Sequence, residues 1–351
     1  MTITTVDAAI ERSRETAASI EQEPGRHRML TGDRPTGDLH IGHYLSSLRN
    51  RVALQERGVE SFVLIADYQV ITDRDSVGQI KDNTLSLLAD YLAAGLDPAR
   101  STIFAHSAVP QLNQLMLPFL SLVTQAELQR NPTVKDELVA SRRPLSGLLL
   151  TYPVHQAADI LFCKADVVPV GKDQLPHVEQ TRVVARRFNA RYAAGAEVFP
   201  EPTALINDHQ LILGVDGQKM SKSRGNVIRL AATEDETAKL IRKARTDSEP
   251  TMTYEPERRP EVANLLTIAS GFMGVAPETL ADDLGSGGGS ALKALVIEAI
   301  NEGLRAHRER RQGIAKDRAE LLQILRAGNA KAEAVADHTL TEVRQAMSMD
   351  Y

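Results

Sequence analysis

Tryptophan is absent from the 351-residue chain, and cysteine occurs once, at Cys163. A single cysteine excludes an intramolecular disulfide and any cysteine-rich zinc site, and it suits a reducing, cytoplasmic setting. With no metal partner spaced around it, Cys163 reads as a core filler, and no protein-ligated metal is expected. No apolar run approaches the ~20 residues that a membrane-spanning helix needs, and the N-terminus is too charged for a signal peptide. Positive charge is not in excess either. Lysine and arginine number 41 against 46 aspartates and glutamates, a net charge of −5, so any RNA contact must use a local basic patch. What remains, 42% hydrophobic and 25% charged, is the composition of a soluble globular chain. The length suggests about two domains.

The order of local patterns says more. Residues 1–26 are a polar extension whose few apolar points include Ile10 and Ile20, which predicts a loose helix or a disordered arm closed by Pro24-Gly25. From His27 the pattern alternates. Arg28–Gly32 reads as a strand, and a helix is predicted through Tyr44 to Arg57, ended by Gly58. Ser61–Ala66 is an apolar run typical of a parallel strand buried on both faces. A helix from about Ser76 to Ala94 and a strand at Thr102–Ala105 follow. This rhythm predicts an α/β fold built on a Rossmann-like parallel sheet. A largely helical insertion at about 109–162 interrupts it, with a basic, proline-broken loop between Gln129 and Pro144. The sheet resumes at Val167–Gly171, followed by a helix from Gln174 to Tyr192, a short strand at Ala204–Ile206 and a hairpin-like Leu211–Gly217. Beyond Asn226, helical segments interrupted by prolines and by a glycine-serine run at 285–290, flexible by composition, predict an all-helical second domain.

Between the first strand and its helix lies Gly37-Asp38-Leu39-His40-Ile41-Gly42-His43. Strand, glycine loop and helix start together point backbone N–H groups and a helix dipole at whatever sits above, most naturally a phosphate. His40 and His43 can donate to phosphate oxygens, and Gly42 lets a flat ring approach the backbone. Alone, the pair could be two solvated histidines. Far downstream, Lys219-Met220-Ser221-Lys222-Ser223 supplies two cations on a small, hydrogen-bonding loop. The two stretches, in this order, resemble the paired signatures of class I aminoacyl-tRNA synthetases. That resemblance implies attack of an amino-acid carboxylate on the α-phosphate of ATP, with Mg2+ accompanying the nucleotide. Such a step needs aligned reactants and neutralised charge on the leaving pyrophosphate rather than a general acid or base. The resemblance assigns catalysis to His40, His43, Lys219 and Lys222. It assigns ATP binding to Arg34, Pro35, Thr36, Gly42 and His43 on one side, to Gly171, Lys172 and Asp173 on another, and to Lys219, Met220, Ser221, Lys222 and Ser223 above.

The middle third narrows the family. Helical spacing places Tyr152, Gln156 and Asp159 on one face. With Val168-Pro169-Val170-Gly171-Lys172-Asp173-Gln174, Arg187-Phe188-Asn189 and Thr246-Asp247-Ser248-Glu249, they look like the tryptophanyl branch of the family, from about Met29 through the C-terminus. The resemblance implies a tryptophan pocket of Leu30, Asp67, Tyr152, Gln156, Asp159, Val168, Val170 and Gln174. Asp159 does not distinguish tryptophan from tyrosine, because a buried carboxylate serves either an indole N–H or a phenol. Leu30 does, since the tyrosine enzymes carry a tyrosine there to hold the phenol oxygen, and an unpaired phenol is costly to bury. Three positions depart from the pattern. Arg34 stands where glutamine is usual, Gln156 replaces a methionine, and Tyr68-Gln69 replaces a Gln-His pair. His155 and His177 read as packed histidines, Asp173 could also cap the following helix, and Lys135 with Arg142-Arg143 reads as solvated.

The family pattern divides the chain into a polar extension (1–26), a catalytic domain (27–226) and a helical tRNA-binding domain (227–351). The basic residues Arg242, Lys243, Arg245, Arg305, Arg308, Arg310, Arg311, Lys316 and Arg318 fit either an RNA-facing surface or a salt-bridged helix face, since Glu302, Glu309 and Asp317 are interleaved. The resemblance favours RNA, and it implies tRNA(Trp) and L-tryptophan as partners, with a homodimer reaching both ends of the tRNA. If Lys222 contacts the transition state, Lys222→Ala should cost on the order of 2–4 kcal/mol in the activation step. An unchanged single-turnover rate of adenylate formation would remove Lys222 from that role.

Overall fold

Five parallel strands form the frame: β1 (Arg28–Asp33), β2 (Glu60–Ile65), β3 (Ser101–Ala105), β4 (Val167–Val170) and β5 (Thr203–Ile206), in the spatial order β3-β2-β1-β4-β5. The computed structural model describes residues 3–72, 78–141, 144–206, 212–218, 220 and 225–351. Strand order reverses between β1 and β4, and in such sheets ligands bind in the crevice beyond the carboxyl ends at that point. The α/β, Rossmann-like reading holds. β2 is buried from Ser61 to Ile65, as a strand covered on both faces should be. β1 lies so close to it that a Cβ on Gly32 would stand 2.3 Å from the Leu64 carbonyl oxygen.

The N-terminal extension is not a loose arm. It forms α1 (Ile3–Gln22), fastened along β5. Ala9, Ser13 and Ile20 are buried, and Ser13 Oγ accepts the Ile206 N–H at 2.8 Å. Two small side chains, Ala9 and Ser13, and the single large Ile20, packed among Met29, Leu54, Val59 and Val167, make this contact rather than a broad apolar stripe, which is why composition understated it. After β1, α2 (Ile41–His43) continues through a π turn (Tyr44–Leu48) into α3 (Arg49–Arg57), closed by Gly58 at φ 100°. α4 (Ile80–Ala94) ends likewise at Gly95.

The insertion comprises α5 (Gln111–Leu120), α6 (Gln125–Arg130), α7 (Pro132–Ser141) and α8 (Gly147–Leu161). The stretch expected as a loop between Gln129 and Pro144 is therefore mostly helix. Pro132 opens α7 at a position where its missing N–H is no loss, and Asn131 Oδ1 accepts the Thr133 N–H at 3.1 Å. Arg142 and Arg143, like Leu211, lie outside the described residues. α9 (Leu175–Tyr192) follows β4.

The chain beyond Asn226 contains α10 (Glu234–Arg242), α11 (Pro260–Met273), α12 (Pro277–Leu284), α13 (Gly288–Ile314) and α14 (Arg318–Ala346). The glycine run is ordered: Gly288 opens α13, and a Cβ on Gly289 would meet Thr246 Oγ1 at 2.8 Å. One apolar core holds Leu39, Ile41, Ile65 and Leu88 together with Ile228, Leu265, Val296 and Leu304, so these helices pack on the sheet layer directly. α14 then crosses to β3, where Asn329 Oδ1 accepts the Ala105 N–H at 2.9 Å. A Cβ on Gly328 would lie 1.8 Å from the Ile103 carbonyl oxygen. Gly328→Ala gains at most ~1 kcal/mol of helix propensity and loses more to overpacking, typically ~1–3 kcal/mol. Thermal melting should show a lowered midpoint for Gly328→Ala and none for Gly313→Ala, whose added methyl meets nothing within 4 Å.

Candidate active site

The crevice at the carboxyl ends of β1 and β4 begins with a buried ion pair. Asp33 closes β1, and Arg51 of α3 donates to its Oδ2 at 2.5 Å while the Tyr91 hydroxyl of α4 donates to the same atom at 2.7 Å. Arg51 also reaches the Gly32 carbonyl at 3.3 Å. Burial raises the Asp33 carboxyl, but the charge and hydrogen bond of Arg51 outweigh it and, with His43 and Tyr91, hold it at about 2. From this anchor the chain runs through Arg34, buried Pro35 and Thr36 to Gly37, whose φ of 122° makes the turn that a side chain would strain. Arg34 stands 3.7 Å from Glu137 on α7.

His40 then opens the helix. Its ring centroid is 3.8 Å from that of His43, and His43 Nδ1 accepts the His40 N–H at 3.3 Å. The chain after the lysine signature pairs back onto this point: the Ile41 N–H reaches the Ile228 carbonyl and the Leu230 N–H the Leu39 carbonyl, both at 3.0 Å, with His40 bridged to Arg229. Met220 is buried, and its sulfur lies 3.7 Å from where a Cβ on Gly42 would stand. Two stretches remote in sequence thus meet at one helix start. Lys219, Ser221, Lys222 and Ser223 lie outside the described residues.

Across the crevice, Gly171, Lys172 and Asp173 are exposed at the end of β4, and Gln174 Nε2 donates to Asp173 Oδ2 at 3.0 Å. A Cβ on Gly171 would stand 2.7 Å from Asp173 Oδ1, so the glycine lets the turn tighten. Deeper in, Leu30 and Val168 are buried and Val170 is half-buried, giving apolar walls. Tyr152, Gln156 and Asp159 come from one face of α8, with the Tyr152 hydroxyl 3.1 Å from His177 Nε2. Asp67, just past β2, accepts the Ser107 N–H at 2.9 Å and the Ser107 hydroxyl.

Beneath Asp159 lies a polar floor that sequence reasoning missed. His106 follows β3 and is fully buried; its Nδ1 stands 3.0 Å from Asp159 Oδ1, and its ring packs 4.0 Å from that of His155. His155 Nε2 meets Asn113 Oδ1 at 3.0 Å, and Gln69 Nε2 donates to Asp159 Oδ2 at 3.3 Å. Burial lowers His106 well below the ordinary imidazole range, helped by His155, and lowers His155 itself to about 4. Burial likewise pushes Asp159 well above the carboxylate range, with the charge of Asp67 adding to it and the Gln69 bond opposing. Burial thus works against the charged form of each group in the floor, and a ring N–H arriving at Asp159 would find an acceptor. Among the described residues, His106, His155 and Asp159 also have donor atoms within 4.8 Å of one another, a cation-sized spacing, with Asn113 and Gln69 already engaging two of them. The signal for His106 in the sequence was positional: it follows β3 directly, and ligands bind beyond the carboxyl ends of parallel strands.

The tail arginines largely serve the fold. Arg308 donates to Asn301 and Thr237, Arg310 to the Ala93 carbonyl, Arg311 to Asp90 and Ser86, and Arg318 to Asp82. Arg311 and Arg318 are salt-bridged to α4 and Arg308 and Arg310 hydrogen-bonded to neutral groups, while Arg305 pairs with the interleaved Glu302.

Comparison with known proteins agrees with this geometry. The family model described as tRNA synthetases class I (W and Y) matches residues 22–305. A tryptophan–tRNA ligase of Clostridium longisporum is 41% identical over 335 residues, covering 92% of this chain and 97% of its own. The structure of tryptophanyl-tRNA synthetase from Campylobacter jejuni, complexed with ADP and tryptophan, superposes with a TM-score of 0.78 at 32% identity, over 92% of this chain and 99% of that one. A tyrosyl-tRNA synthetase from Archaeoglobus fulgidus gives 0.64 at 25% identity, over 81% and 90%.

The Asp33 anchor makes a prediction for acid stability. Its folded value of about 2 lies below the ordinary 3.8, so its contribution is present above pH ~4 and is lost as pH falls towards 2. The amount is on the order of 2 kcal/mol. Urea unfolding at pH 5 and pH 3 should show a smaller difference between the two for Asp33→Asn than for the wild type, from a lower starting stability because Arg51 is left unpaired. Equal differences would show that Asp33 does not carry this part of the acid limb.

Proposed function

Because the chain belongs to the class I tRNA synthetases of the tryptophan and tyrosine type, we infer that it is a tryptophan–tRNA ligase. The observation that carries the reading is the meeting of the two signatures at the switch point, with Met220 against Gly42 and residues 228–230 laid along residues 39–41. In the first step a carboxylate oxygen of tryptophan bonds to the α-phosphorus of ATP, and the bond to the bridging oxygen breaks to release pyrophosphate. A hydroxyl of the terminal tRNA ribose then attacks the activated carbonyl, and AMP leaves.

This chain's part in activation is alignment and charge. His40, Gly42 and His43 face the phosphates, Gly171 and Asp173 take the ribose side, and Lys219 and Lys222 neutralise the leaving group. The carboxylates flanking the loop are already engaged, Asp33 by Arg51 and Asp38 by Ser86 and Arg229. The phosphates themselves are accordingly the expected ligands of Mg2+. Tryptophan lies between Leu30, Val168 and Val170, with its indole N–H on Asp159 and its ammonium group towards Gln156. Apolar Leu30 and the closer match to tryptophan enzymes favour tryptophan over tyrosine. The helices beyond residue 226 serve tRNA(Trp), and a homodimer lets one tRNA span tail and catalytic crevice. No helix among the described residues is long and apolar enough to cross a membrane.

ATP–pyrophosphate exchange with each amino acid in turn, followed by charging of purified tRNA, tests the reading. Exchange with tryptophan and charging of tRNA(Trp) are expected. Exchange with tyrosine alone would overturn the specificity, and exchange with tryptophan without charging would favour a paralogue that senses the amino acid.

A further inference from the structure

α4 carries Asp90 and Tyr91 side by side, and they face opposite ends of the nucleotide loop. Tyr91 bonds Asp33 at its start. Asp90, fully buried, lies beneath its end: Oδ2 accepts the Leu39 N–H at 3.4 Å, and Oδ1 accepts from Arg311 Nε at 2.5 Å. Arg311 stands in the last turn of α13. Its Nη2 donates to Ser86 Oγ at 2.8 Å, and Ser86 donates to Asp38 Oδ1 at 2.9 Å. Two short routes therefore run from α13 to consecutive residues, Asp38 and Leu39, immediately before His40. Asp38 is also 3.6 Å from Arg229, the residue bridged to His40.

A buried ion pair is weak evidence of stabilisation, since apolar residues of like volume serve a core as well or better. This pair does something apolar residues could not. It spends both carboxylate oxygens and two guanidinium nitrogens on connecting a distant helix to loop backbone and loop side chain. Its neighbours on the same helix behave differently. Arg310 bonds the Ala93 carbonyl at the far end of α4, and Arg308 bonds Asn301 and Thr237; neither reaches the loop.

We propose that Arg311 and Asp90 are positioning residues that couple the helical tail to the first signature, so that the placement of α13 sets the placement of His40. The proposal rests on the ligase reading for its catalytic consequence, though not for the coupling itself. Neither residue touches substrate. A displacement of α13 reaches the Leu39 N–H through two hydrogen bonds, and the reaction senses the tail at that point.

Two readouts on the full-length chain test this. Backbone amide exchange over residues 37–43 reports the loop without reference to activity, and kcat and KM of pyrophosphate exchange with tryptophan report the reaction. Arg311→Met should speed amide exchange over 37–43 at least tenfold and lower kcat at least tenfold, with the KM for tryptophan within twofold of wild type. Arg311→Lys should recover part of both. The double variant Asp90→Asn/Arg311→Met, which removes the orphaned charge, should regain melting temperature but not kcat. Arg308→Met should leave loop protection and kcat unchanged. Unchanged protection over 37–43 in Arg311→Met, or a double variant that regains kcat along with melting temperature, would overturn the coupling. A wild-type chain that exchanges with no amino acid would overturn the ligase reading alone, because amide protection still decides whether the tail holds the loop.

Discussion

Arg51 is 3% exposed and meets, at the end of β1, the Asp33 carboxylate, the Gly32 carbonyl, and the hydroxyl and ring face of Tyr91. A guanidinium that cannot be deprotonated has to be matched wherever it is buried. Matching it here ties one strand and two helices to a single point. The glycine turn, the paired histidines and the returning segment at 228–230 all take their positions from that point, because they follow β1 within a few residues or pack on what does. Gly32 has the complementary job: without a side chain it lets β1 close on β2 tightly enough to bring Asp33 under Arg51.

Charge is distributed through the crevice unevenly, and the unevenness suits the chemistry. The nucleotide end is framed by ionised groups whose partners are fixed: Asp33 with Arg51, Asp38 with Arg229, Arg34 near Glu137. The deep end of the crevice is floored by His106, His155 and Asp159, where burial works against the charged form of each. On the ligase reading, a flat, neutral ring would settle there, and the phosphates would meet charges already paired. One site thus offers two dielectric settings a few residues apart.

Much of this was legible in advance because it is local. Alternating apolar runs announced the parallel strands, Gly58 and Gly95 marked helix ends, and the two signatures named the crevice. What escaped was of two kinds. Small residues made contacts that composition reads as weakness: Ala9 and Ser13 fasten α1, and Gly288-Gly289 begin a helix against Thr246. Pairs formed between residues far apart carry no local trace, as with His106 beside Asp159 or Arg311 beside Asp90. Arg308, Arg310, Arg311 and Arg318 each bond to another part of the fold, which a positive charge in sequence does not announce, since it does not say which way its side chain turns.

The sheet has two edges, β3 and β5, and each is closed by one end of the chain. Ser13 of α1 takes the N–H of Ile206, and Asn329 of α14 takes that of Ala105. Open strand edges invite pairing with other molecules. Because synthesis runs from the N-terminus, the β5 edge can be covered as soon as that strand emerges, whereas β3, made much earlier, stays bare until α14 has been made. The growing polypeptide therefore carries a bare β3 edge throughout the synthesis of everything between that strand and α14. Removing α14 would make that transient hazard permanent.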